Sequence, residues 1–163
     1  MNKLNSNSIT IINKGSTSTS FSAPHLFIKY IIEYNEYDVY KREKYLSGLL
    51  GQFDWYPKLL GCDDENEILI FKYVGVPVTL KNKPKDIKKQ FDKILADLNS
   101  VNVQHNDIKI GEIIVDPKGR IYLCDFGWGT INKSFDCGIN ISNKTKPYGL
   151  FDDATTLKRL GLV

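Results

Sequence analysis

Two polar loops, each carrying an aspartate and separated by a strand–turn–strand segment, constrain this chain more than any other feature. The first loop is His105-Asn106-Asp107-Ile108-Lys109-Ile110-Gly111-Glu112, and the second opens with Asp125-Phe126-Gly127. Between them, Ile113-Ile114-Val115 and Ile121-Tyr122-Leu123-Cys124 are apolar β-forming runs, and Asp116-Pro117-Lys118-Gly119 has turn composition. A hairpin returns the chain close to its start. Asp107 and Asp125 are therefore expected to flank a common ligand.

The rest of the chain reads as a scaffold for these loops. Its 163 residues allow one compact unit, and 42% apolar content is enough to fill a core. Ile9–Ile12 reads as a strand, with Gly15–Ser20 as the connection of a hairpin that resumes at Phe21. Leu26–Ile32 is a strongly apolar strand in which Lys29 is the one charged residue, so Lys29 needs a partner. A helix is expected over Asn35–Ser47, with Asn35 as N-cap and Gly48 as terminator. Its inward stripe of Val39, Glu43, Leu46 and Leu50 sets Glu43 among apolar neighbours.

Tyr56–Gly61 and Ile68–Val74 form a further antiparallel pair around the Asp63–Asn66 turn. The first half is thus a small antiparallel sheet with one helix. Gly75 marks a boundary, and Gly75–Pro84 leads into a second helix, Lys85–Asn99, with Ile87, Phe91, Ile94, Leu95 and Leu98 on one face. Trp128–Tyr148 reads as loop and Asp152–Leu160 as a short terminal helix.

Composition excludes several function classes. The net charge of +3 is small, and the lysines are scattered except in Lys81–Lys89, so nucleic acid is not an expected partner. Cys62, Cys124 and Cys137 have no paired spacing, which argues against a disulfide framework or zinc site and for a cytoplasmic or other intracellular setting. The N-terminus is polar, and no run approaches membrane-spanning length, so no membrane association is expected.

Phosphoryl transfer needs cations beside the phosphates, a carboxylate for the attacking hydroxyl and acidic ligands for a divalent metal. Asp107, Lys109 and Asp125 offer these groups. In order and setting, with a strand lysine and a helix glutamate upstream, they resemble the catalytic loop and DFG motif of the protein kinase family over roughly residues 9 to 130. The resemblance implies an α+β, protein-kinase-like bilobal fold: residues 1–74 as an N-lobe of antiparallel sheet plus one helix, and 75–163 as a much reduced helical C-lobe.

It further implies ATP as substrate and Mg²⁺, or Mn²⁺, as cofactor. Asp107 takes the position of the catalytic base and Lys109 that of the lysine neutralising the transferred phosphate. Asp125 and Glu112 hold the metal positions. Lys29 would contact the nucleotide phosphates and pair with Glu43, while Gly15, Ser16, Thr17 and Ser18 form the phosphate loop. Phe71 would back the adenine pocket, and the backbone of Lys72, Tyr73 and Val74 would hold adenine. A lysine two residues after the base resembles Ser/Thr kinases, which implies Ser/Thr hydroxyls of a protein substrate.

Three departures accompany the resemblance. Glu112 stands where the family has asparagine, the phosphate loop retains only Gly15, and no Ala-Pro-Glu follows Gly127. The missing helices imply that a protein partner or self-association covers the reduced C-lobe, and that Asp152 or Asp153 braces the catalytic loop. A catalytically weak or inactive pseudokinase serving as nucleotide-binding or scaffold module, and a small-molecule kinase, are the alternative readings.

Overall fold

The computed structural model describes residues 10–14, 18–23, 25–32 and 35–163. Within them the chain is mixed α/β, with antiparallel sheets and three α-helices. Strands β1 (Thr10–Lys14), β2 (Ser18–Ala23), β3 (Leu26–Ile31), β4 (Leu59–Asp63) and β5 (Ile68–Lys72) form one sheet in the order β1-β2-β3-β5-β4. The expected hairpins are present, and β3 lies centrally, with Lys29 opposite Ser20 on one side and Leu69 on the other. Fourth-strand pairing begins at Leu59 rather than Tyr56, because Trp55 and Tyr56 are buried as aromatic anchors and Pro57 has no N–H to give a ladder.

Helix α1 spans Val39–Leu50 and differs at both ends from the reading Asn35–Ser47. Asn35–Tyr37 forms a separate 3₁₀ turn, and Asp38 adopts a left-handed conformation (φ 49°) that restarts the chain as a helix at Val39. Gly48 lies inside the helix, where nothing surrounds its missing side chain, and Gly51 follows the end. The inward stripe is as expected: Val39, Glu43, Leu46 and Leu50 are all buried.

Helix α2 (Ile87–Ser100) buries Ile87, Phe91, Ile94 and Leu98. Three two-residue strands escape the sequence reading: β6 (Val76–Pro77), β7 (Val103–Gln104) and β10 (Thr130–Ile131). Strands β8 (Ile113–Val115) and β9 (Ile121–Leu123) form the expected hairpin, and β6 pairs with β8. Gly75 permits that approach, since a Cβ there would lie 2.1 Å from the Val115 carbonyl oxygen. β7 pairs with β10, joining the chain before the first polar loop to the chain after the second. The last helix, α3 (Thr156–Arg159), is preceded by a 3₁₀ turn, Asp153–Thr155.

A single apolar cluster runs from α1 and the large sheet through Phe126 to α2 and the β8–β9 hairpin. Phe126 is its centre: wholly buried, its ring lies 5.7 Å from Tyr56 and 4.4 Å from His105. Among the described residues, no helix is long and apolar enough to cross a membrane.

Candidate active site

Lys29 found two partners. Its ammonium, on an almost fully buried side chain, meets Glu43 Oε2 at 2.6 Å and Asp125 Oδ1 at 2.8 Å. Glu43 comes from the inward stripe of α1, and Asp125 lies 96 residues beyond Lys29 in sequence. Burial alone would lower the lysine's proton affinity, but the two carboxylates outweigh it and hold Lys29 firmly charged. Burial would raise Asp125 too, yet the adjacent ammonium keeps its carboxyl below the usual range. Glu43 is pushed up to about 7, first by burial and then by the Asp125 charge, with Lys29 pulling the other way.

Local backbone fixes this geometry. Asp125 is left-handed at φ 66°, a conformation that aspartate tolerates and that turns its side chain out of the β9 direction. Gly127 lets the loop touch α1, because a Cβ there would stand 2.7 Å from Val39 Cγ1. Arg42, fully buried in α1, ties the loops together: it donates to the Phe135, Gly127 and Ser142 carbonyls at 2.8, 2.9 and 2.8 Å. Its position on the helix gave no sequence signal, since an arginine beside the apolar stripe reads as surface.

The first polar loop is pinned from both sides. Asp153 accepts from the backbone N–H of His105 at 2.7 Å and of Asn106 at 2.9 Å, so of the two candidate braces it is Asp153 that reaches the loop. His105 is buried with Nε2 2.9 Å from the Cys124 carbonyl oxygen, which can only accept, so the proton resides on Nε2. Nδ1 then receives the Asp107 N–H at 3.3 Å. His105 thereby links the two aspartate loops without facing a ligand. Asp107 is 5% exposed, and Lys109 Nζ lies 2.8 Å from its Oδ2.

Lys29, Glu43, Asp125, Lys109 and Glu112 line one cavity of about 480 Å³, whose deeper wall includes Phe71, Tyr56 and Phe27. Ser20, Phe27, Tyr56 and Ile114 are wall residues that sequence reading missed, because nothing in their type marks them as ligand-facing. Lys72 and Tyr73 also line the cavity, but their N–H groups are spent on the Lys58 carbonyl at 2.8 Å and the His25 carbonyl at 3.0 Å. Val74 is the segment's open backbone donor, with no N–H bond among the described residues. Ser18 lies within β2, opposite Ile31, because strand pairing extends that far, so it is not a loop residue. Gly15, Ser16 and Thr17 lie outside the described residues.

Glu112 closes its own turn, its carboxylate accepting the Lys109 N–H, and its other oxygen lies 3.9 Å from Lys109 Nζ. Burial, followed by the nearby Asp125 charge, pushes its carboxyl up to about 8. Two carboxylates that repel across one cavity are a donor set that a divalent cation suits, and Mg²⁺ is commonly held by one or two carboxylates with water. Among the described residues no group of three or more His, Cys, Asp or Glu could hold a metal ion alone. The cysteines are free thiols, and burial, first among its causes, pushes the Cys124 thiol beside Asp125 well up, leaving no thiolate there.

No protein-family model matches the chain. A 66-residue stretch, 40% of the chain, is 29% identical to the Probable serine/threonine-protein kinase ireA of Dictyostelium discoideum. The match spans 7% of that relative's length, so the likeness reaches a kinase-like relationship and no finer class.

Proposed function

We propose that the chain is an ATP-dependent phosphotransferase of protein-kinase type, transferring the γ-phosphate to Ser/Thr hydroxyls of protein. In this reading the fold is bilobal, with residues 1–74 as the sheet-bearing lobe and 75–163 as a reduced second lobe. The observation that carries it is Lys29, which bonds Glu43 and Asp125 in a cavity whose other wall presents Lys109 and Glu112. A cation held between a helix carboxylate and a loop carboxylate, beside a second lysine, is an arrangement built to receive phosphates. The partial likeness to a Ser/Thr kinase agrees with it. Free thiols at Cys62, Cys124 and Cys137 fit an intracellular protein.

The adenine would lie against Phe71, with Val74 N–H as donor, and the phosphates would face Lys29 and Lys109. The acceptor oxygen bonds to the γ-phosphorus as the bond from that phosphorus to the bridging oxygen breaks, and ADP leaves with the electron pair. Asp107 takes the hydroxyl proton, with Lys109 holding its carboxylate in place. Asp125 and Glu112 would hold Mg²⁺ or Mn²⁺, which supplies neutralising charge for the phosphates.

Incubation with radiolabelled ATP and either metal should label the protein itself or a generic Ser/Thr substrate. Asp107→Asn and Asp125→Asn should each reduce labelling on the order of 10²-fold or more. Undiminished labelling in both variants would remove the mechanism. One observation favours a second reading, a nucleotide-binding module without turnover: both oxygens of Asp107 carry lysine ammonium groups. Under that reading ATP raises the melting temperature and no phosphate is transferred.

A further inference from the structure

The two lysines on Asp107 differ in kind. Lys109 is the loop's own residue, bonding Oδ2 from a half-exposed position. Lys146 arrives from 39 residues further along, bonds Oδ1, and has a side chain only 11% exposed. Phe151 holds it there: the Lys146 ammonium lies 5.5 Å from the ring centroid, and the Phe151 N–H donates to the Asn106 carbonyl at 2.6 Å. The same ring carries the Arg159 guanidinium at 4.1 Å. Arg159 donates to the Ile108 carbonyl at 2.5 Å and has no carboxylate partner among the described residues.

Charge on this face is therefore unbalanced. Lys109, Lys146 and Arg159 gather around Asp107, while Glu112 is engaged with Lys109 at the cavity wall and Asp153 with the loop amides. An acceptor hydroxyl must reach a carboxylate oxygen of Asp107, and the oxygen on this side belongs to Lys146. An ammonium so nearly enclosed has little water to receive it, so it leaves a carboxylate readily only for another anion.

Resting on the phosphotransferase reading above, we propose that Lys146 is the acceptor-specificity residue, and that the substrate class is Ser/Thr peptides with carboxylate side chains beside the hydroxyl. The hydroxyl replaces Lys146 at Asp107 Oδ1, and the peptide's carboxylate takes the displaced ammonium, with Arg159 beside it. A neutral peptide would have to strand Lys146 without a partner.

Two fluorescent peptides test this, a serine flanked by glutamates and the same peptide with glutamines. Binding is followed by anisotropy and phosphate transfer by labelling. Wild type should bind the glutamate peptide at least 10-fold more tightly than its glutamine counterpart, about 1.4 kcal/mol. Lys146→Met should abolish that difference and raise kcat/KM for the neutral peptide, and Lys146→Arg should restore the preference. Equal binding of both peptides by wild type, or a preference that survives in Lys146→Met, overturns the assignment. Lys146-dependent preference without any phosphate transfer would leave Lys146 as the determinant of peptide binding and remove the phosphotransferase reading, so the two failures are separable.

Discussion

At the scale of single residues, Lys29 has a structural and a chemical consequence that can be pulled apart. Removing it leaves Glu43 buried without its cation, which costs about 3 kcal/mol for a buried pair broken on one side. Lys29→Met should therefore lower the urea midpoint markedly and abolish stabilisation by ATP. Adding Glu43→Leu removes the stranded carboxyl, so the double variant Lys29→Met, Glu43→Leu should regain much of the lost stability while remaining blind to ATP in a thermal-shift titration. Recovery of both properties together would mean that the lysine serves only the core. Arg42 shows how a buried charge can be satisfied by backbone carbonyls, with the Asp38 carboxylate acting on it only through space. Its three hydrogen bonds all go to carbonyls, where a guanidinium usually finds a carboxylate.

At the scale of elements, α1 is both a packing unit and the carrier of Glu43, so whatever shifts it shifts the site. Gly127→Ala would drive a methyl group to within 2.7 Å of Val39 Cγ1, so either the Val39 side chain or the loop bearing Asp125 has to give. Phosphate transfer should fall by at least 10-fold while the fold survives, as checked by circular dichroism alongside the labelling assay. The start of α1 is held electrostatically. Burial would raise the Asp38 carboxyl, but hydrogen bonds from Lys41 at 2.8 Å and from the Ser142 N–H at 2.8 Å keep it below its ordinary value. Its folded pKa lies under the unfolded value of about 3.9, so the stabilisation is complete above that pH and is lost as pH falls through the folded value. Asp38→Asn should flatten the loss of stability below about pH 4, read from urea midpoints across that range.

These elements also mark where sequence was informative. Glu43 could be placed inward because the stripe of Val39, Leu46 and Leu50 has helical period, and the β8–β9 hairpin because its two apolar runs flank a Pro- and Gly-bearing turn. Two-residue strands such as β7 and β10 are too short for any period to register. The start of α1 was misread because Asn35 is as good a cap by type as Asp38, and only backbone conformation separates them. Lys146 was invisible for another reason: its contact with Asp107 depends on the path of an irregular segment, which carries no repeating pattern. That the N–H groups of Lys72 and Tyr73 meet the Lys58 and His25 carbonyls was not legible either, because the carbonyl a backbone donor meets depends on register and chain path, not on residue type.

For the molecule as a whole, the arrangement is one sheet carrying Lys29, one helix carrying Glu43 and a pair of loops held in place by chain that follows them. Asp153 is the clearest example, since its carboxylate fixes two amides of the first loop from 48 and 47 residues away. Asp153→Ala should speed amide exchange at His105 and Asn106 and cut phosphate transfer at least 10-fold, with the exchange of β3 and β5 amides unchanged. Equal protection of the two loop amides in wild type and variant would show that the loop holds itself. The same contact imposes an order in time. On a ribosome the five-stranded sheet can pair as soon as it emerges, but the loop bearing Asp107 stays unfixed until Asp153 has followed it out. The strand bearing Lys29 is therefore paired before the loop bearing Asp107 is fixed.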